Sequence, residues 1–162
     1  MKSIDFFLKE LADETESTRR VLQRIPEQHL SWSPHSKSMS LGQLALHVAV
    51  IPGAIAELLS DSVREIPDVP LNEATSLVEI EEKLDKSVES AKKILSSWSE
   101  EDLNAEWRMV HDEQTVLATP RRDMLRSTLF NHWYHHRGQL LVYLRLLDVP
   151  VPAVYGSSAD EQ

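Results

Sequence analysis

Cysteine is absent from the 162 residues. The chain therefore has no disulfide, no thiolate ligand and no cysteine nucleophile, so any sulfur chemistry must take its sulfur from another molecule. Long apolar runs are missing as well: no stretch approaches the roughly 20 apolar residues that cross a bilayer. The opening segment, MKSIDFFLKELADETES, lacks the apolar core and small-residue cleavage site of a secretory leader. The expectation is a cytoplasmic protein without a membrane partner. Positive charge is in deficit, with 17 Lys and Arg against 26 Asp and Glu and a formal net charge of −9. Such a surface repels phosphate backbones, and no basic stripe reverses this locally, which excludes nucleic acid as a partner.

What remains is ordinary for a globular chain, 41% hydrophobic and 27% charged. Its length suits a single domain, residues 1–162, able to bury a core without covalent staples. Only four glycines are present, and apolar residues recur mostly three and four apart, which is a helical period. A first helix is predicted from Ser3 to Arg24, stopped by Pro26. A second starts at Ser40, a suitable N-cap, and runs to Leu59 with a kink expected at Pro52-Gly53. The proline-bearing loop Ile66 to Leu71 precedes a third helix, Asn72 to Trp98, whose charge run Glu79 to Lys86 reads as a solvated face. The fourth runs from Pro120 to Leu147. Between the third and fourth, Trp107 to Val110 and Gln114 to Leu117 flank the turn-like His111-Asp112-Glu113, so a short hairpin or extended excursion is predicted. The fold expected is an all-α four-helix bundle carrying that excursion.

Histidines carry the chemistry. His132 and His136 stand four apart, one turn along the same face of a helix, a spacing that lets two imidazoles reach one ion. They fall within the stripe of Leu125, Leu129, Leu140, Tyr143 and Leu147, where ring nitrogens need partners. His47 sits at the edge of the buried stripe of the second helix. Inward side chains of facing helices are where a bundle builds a metal site, and three histidines leave positions open on the ion. The alternative for each is a hydrogen-bonded histidine at the edge of the core. His135 lies off the stripe, facing solvent or supporting a ligand. His29, His35 and His111 fall in loops. Trp32 reads as packing under a loop and Tyr143 as core. Arg137 and Gln139 lie off the ligand stripe, suited to packing between helices or subunits.

The segment Asn131-His132-Trp133-Tyr134-His135-His136-Arg137-Gly138-Gln139-Leu140, continuing into Tyr143-Leu144-Arg145, resembles the fourth-helix signature of the DinB/YfiT-like family. Leu44-Ala45-Leu46-His47-Val48 followed by Pro52-Gly53 resembles its second-helix motif, and Pro150 to Gly156 its C-terminal tail. This resemblance implies a four-helix bundle running up-down-down-up, usually as a homodimer. It also implies a nickel or zinc ion on three histidines, here His47, His132 and His136. Relatives that use low-molecular-weight thiols such as mycothiol or bacillithiol suggest a metal-dependent transferase acting on a small electrophile. Two other readings stay open: metal-assisted hydrolysis, which wants a base near the ion, and a metal-binding stress-response module without turnover. No HExxH motif supplies a glutamate, since Trp133, Tyr134 and His135 stand between the paired histidines.

Overall fold

The computed structural model describes residues 3–161. Among them α1 spans Ser3–Leu22, α2 Leu41–Leu58, β1 Val63–Glu65, α3 Leu77–Ser96, α4 Glu100–Asn104, β2 Glu106–His111 and β3 Gln114–Pro120. The last helical run, residues 121–146, is α5 (Arg121–Met124), a π-helical segment (Leu125–Asn131) and α6 (His132–Leu146) in succession.

The expectation of an all-α four-helix bundle is overturned. A three-stranded mixed sheet in the order β1-β2-β3 accompanies the helices, which makes the fold α/β. The predicted excursion is the antiparallel β2–β3 pair, from Glu106 opposite Pro120 to His111 opposite Gln114. Its reversal uses Asp112 and Glu113, both at positive φ (47° and 65°), the backbone that a tight hairpin turn requires. β1 is the unforeseen strand. It lies parallel to β2, with Val63 opposite Arg108 and Glu65 opposite Val110, and the whole of α3 intervenes in the chain. The pairing satisfies backbone groups on the edge of β2 that would otherwise face outward. Trp107, fully buried, roots the sheet in the helical core.

The centre of the molecule is α2. Ser40 accepts from the Gln43 N–H while the Gln43 side chain accepts from the Ser40 N–H, a reciprocal cap that fixes where the helix starts. Contrary to the expectation that no stretch approaches bilayer-crossing length, α2 is by length and composition apolar enough to cross a membrane, and 61% of it is buried within this molecule. It packs against α3 on one side and against the last helical run on another. Close approach to α3 depends on Gly53, where a Cβ would stand 2.8 Å from the Ser87 carbonyl oxygen and 2.9 Å from its Cα. Ser87 Oγ accepts from the Gly53 N–H at 2.8 Å and donates to the Val50 carbonyl at 3.0 Å.

Pro52 sits one residue earlier and has no N–H to give to Val48, four residues back. The freed Val48 carbonyl accepts instead from the Trp133 indole at 2.9 Å. A break in the α2 ladder thus becomes the fastening between α2 and α6, beside His47 on one helix and His132 on the other.

Candidate metal centre

His47 on α2 and His132 and His136 on α6 converge, with one ring nitrogen from each lying within 4.8 Å of the others. His132 Nε2 is 2.8 Å from His136 Nε2 and 3.4 Å from His47 Nε2. The rings meet edge to face at centroid distances of 4.6 to 5.2 Å. Nitrogens bound at 2.0–2.1 Å to a tetrahedral ion stand roughly 3.4 Å apart, so the cluster is close to the size of one metal site. Among the described residues no carboxylate joins it.

Electrostatics favour ligand-competent rings. Burial, then the facing His136 and His132, pushes His47 down to about 4. Burial also lowers His132 and His136, against the opposing influence of the Thr128 carbonyl on the first and Gln139 on the second. At neutral pH all three are uncharged, the form that offers a nitrogen lone pair.

The chain sets the tautomers too. His136 Nδ1 lies 2.7 Å from Gln139 Oε1. An amide oxygen can only accept, so Nδ1 carries the hydrogen and Nε2 presents its lone pair to the cluster. Gln139 was expected to pack between helices or subunits. Its placement three residues after His136, on the neighbouring turn, is the signal that identifies it as a partner of that ring. His132 Nδ1 is buried and has no partner of good hydrogen-bond geometry. The Thr128 carbonyl is the backbone acceptor that acts on this ring. At this junction the His132 N–H bonds to Leu129 as the π segment closes. The donor set therefore fits a divalent transition metal: three neutral imidazoles, one with a fixed tautomer, on two helices fastened together by Trp133.

Other candidates fall elsewhere. His135 is exposed, its ring 4.9 Å from that of His136. His29, His35 and His111 stay outside the cluster. Tyr143 donates to the Met39 carbonyl at 3.2 Å and meets Trp32 edge-on at 5.7 Å, both side chains being half-buried. Arg137 is buried at 2% exposure in an ion pair with Glu14 at 2.6 Å and points away from the cluster, toward α1. Arg121, which the sequence reading passed over, is buried as well, donating to the Leu59 carbonyl at 2.8 Å and closing the end of α2.

Two cavities adjoin the cluster. One of about 340 Å³ has His47 and His132 in its wall and lies between α2 and the 67–72 loop. The other, about 410 Å³, has His136, Gln139 and Tyr143 in its wall, with the 36–39 loop opposite.

Known proteins share this architecture. The uncharacterized protein YrdA of Bacillus subtilis is 24% identical over 163 residues, spanning 99% of this chain and 92% of that one. A crystal structure of a DinB-like protein from Bacillus cereus is similar with a TM-score of 0.72 at 25% identity, covering 92% of this chain and 95% of that one. A DinB-like protein from Bacillus subtilis, YjoA, shares the fold with a TM-score of 0.67 at 20% identity, over 96% and 98% of the two chains. The family model that matches, over residues 1–162, is that of the DinB family, and this chain belongs to it.

Proposed function

We propose that the chain holds one divalent transition metal, nickel or zinc, on His47, His132 and His136, and transfers a low-molecular-weight thiol to an electrophilic small molecule. The observation that carries the reading is the convergence of one ring nitrogen from each of three histidines to within 4.8 Å of the others, with no carboxylate joining them among the described residues. An ion held there supplies positive charge that favours a thiolate over a thiol at neutral pH. The chain's own residues orient and shield. Gln139 holds the His136 tautomer, Trp133 keeps the two helices in register, and the apolar side chains of α2 exclude water from the reacting atoms.

The transfer balances simply. The thiol proton goes to solvent, and the sulfur electron pair forms the bond to carbon. The bond from that carbon to its leaving group breaks, and the leaving group departs with that pair. Hydrolysis would draw on a carboxylate or histidine base near the ion; no carboxylate joins the cluster among the described residues, and the histidine at hand is the exposed His135, its ring 4.9 Å from that of His136. The resemblance of the helical motifs further supports assembly as a homodimer.

The test starts from untagged protein beside a His132→Ala variant, with metal content measured by mass spectrometry. About one nickel or zinc per chain, lost in the variant, is expected. The loaded protein is then offered a panel of small thiols and halogenated electrophiles, whose halide is the leaving group. Conjugation that depends on both metal and thiol supports the reading. No bound metal after incubation with nickel and zinc would leave the three residues as core histidines and sink it.

A further inference from the structure

The two cavities beside the cluster differ in chemistry. Leu46, Val50, Ile55 and Leu58 of α2 and Val69 and Leu71 of the loop wall the first, and its two charged residues, Asp68 and Lys83, are both solvent-exposed. In the second, Ser36, Lys37 and Ser38 face Gln139 and Tyr143. Gln43 and Leu71 line both, so the cavities are neighbours. The histidines divide between them, His47 and His132 to the apolar side and His136 to the polar side.

A site that acts on one molecule and water has use for one such cavity. Joining two molecules of unlike polarity calls for two cavities that bring both to the same atoms. We infer that the cluster joins two subsites of this kind. The apolar cavity takes the aliphatic or aromatic body of the electrophile, and the 36–39 side takes the hydroxyl- and amide-bearing body of the thiol. This assignment rests on the thiol-transfer reading and adds which molecule goes where. Apolar walls favour the electrophile in proportion to the apolar area it removes from water. Serine hydroxyls, a lysine ammonium and the amide nitrogen of Gln139 offer the thiol body both donors and acceptors.

Ala54 and Ser38 separate the two sides experimentally. Each lines its own cavity and is exposed, so enlargement there fills the cavity without entering the core. Binding of the neutral apolar fluorophore N-phenylnaphthylamine is followed by its emission on the metal-free full chain. Binding of N-acetylcysteine to the zinc-loaded chain is followed by calorimetry, with circular dichroism confirming that each variant is folded. Ala54→Trp is expected to weaken the fluorophore about tenfold and leave N-acetylcysteine within about twofold, and Ser38→Trp to do the reverse. A fluorophore indifferent to Ala54→Trp, or one variant weakening both probes equally, overturns the division. If the fluorophore responds as expected but N-acetylcysteine does not bind the zinc-loaded wild type, the apolar subsite stands. The polar assignment and the thiol reading then fall together.

Discussion

Gln139 decides which nitrogen of His136 faces the other two rings, because its amide oxygen at 2.7 Å accepts only from a protonated Nδ1. Removing such an outer partner typically costs 10–100-fold in metal affinity. Gln139→Ala is therefore expected to weaken zinc binding by roughly that factor in a competitive chelator titration, with little change in metal-free stability. Trp133 acts at one atom as well. In Trp133→Phe the buried Val48 carbonyl loses the indole donor that stands in for the missing Pro52 N–H. A loss of about 1–3 kcal/mol in urea unfolding is expected, together with weaker metal binding, because His47 is no longer held to the α6 pair. The histidines also set a pH dependence. His47 titrates at about 4 when folded against 6.5 as its ordinary value, so the unfolded chain binds more protons between those values. The contribution of the buried neutral ring is complete above pH 6.5 and is lost as pH falls toward 4. Metal-free protein should lose stability through that window in thermal melts. Metal affinity of the folded chain should fall as pH nears about 4, where protons compete for the His47 nitrogen.

At the scale of elements, α2 has to pass through Pro52-Gly53 and still touch α3. Gly53→Ala puts a Cβ within 3 Å of the Ser87 backbone, where the obstacle is main chain rather than a movable side-chain end. The helices must separate, and a destabilisation of about 1–3 kcal/mol is expected in denaturant titrations. A variant as stable as the wild type would show that α2 and α3 adjust freely. The starts of α1, α2 and the last helical run were readable, whereas α3 starts at Leu77 behind a Ser76 cap and not at Asn72. Ser40 and Gln43 form a cap that four residues of sequence describe, and the β2–β3 hairpin follows from two apolar stretches around Asp112-Glu113. β1 was not readable, since Val63, Arg64 and Glu65 are all exposed and show no alternation. Its identity as a strand comes from β2, which offers a free edge only after α3 has carried the chain back. The short α4 has a local signal too, the reciprocal cap between Ser99 and Asp102.

Across the whole molecule, one buried cation ties the tail to the helices. The Arg137 guanidinium pairs with Glu14 at 2.6 Å, donates to Thr18 Oγ1 at 3.1 Å and to the Tyr155 hydroxyl at 2.5 Å, and lies over the Tyr134 and Tyr155 rings. α1, α6 and the C-terminal tail thus share one polar knot. Arg137→Ala leaves the largely buried Glu14 carboxylate without its counter-charge, and a loss of about 3–5 kcal/mol is expected by calorimetry or denaturant unfolding. Combining it with Glu14→Gln should cost less than the sum of the two single changes, since both act on the same interaction. Strict additivity would show that Arg137 and Glu14 do not couple α6 to α1.

Taken by itself, the sequence determined the four long helical stretches, an excursion turning at His111-Asp112-Glu113, and the pairing of His132 with His136. Each of these is set by neighbours within one or two turns of the chain, through the fixed geometry of a helix or a tight turn. The approach of His47 to that pair was legible only as two apolar stripes that ought to face each other. Tertiary structure decided the rest: the parallel strand that makes the fold α/β, the Trp133 bond to Val48, the Gly53–Ser87 contact and the polar knot around Arg137. These join residues far apart in the chain. Their formation depends on the path the backbone takes between them, which no local period or spacing encodes.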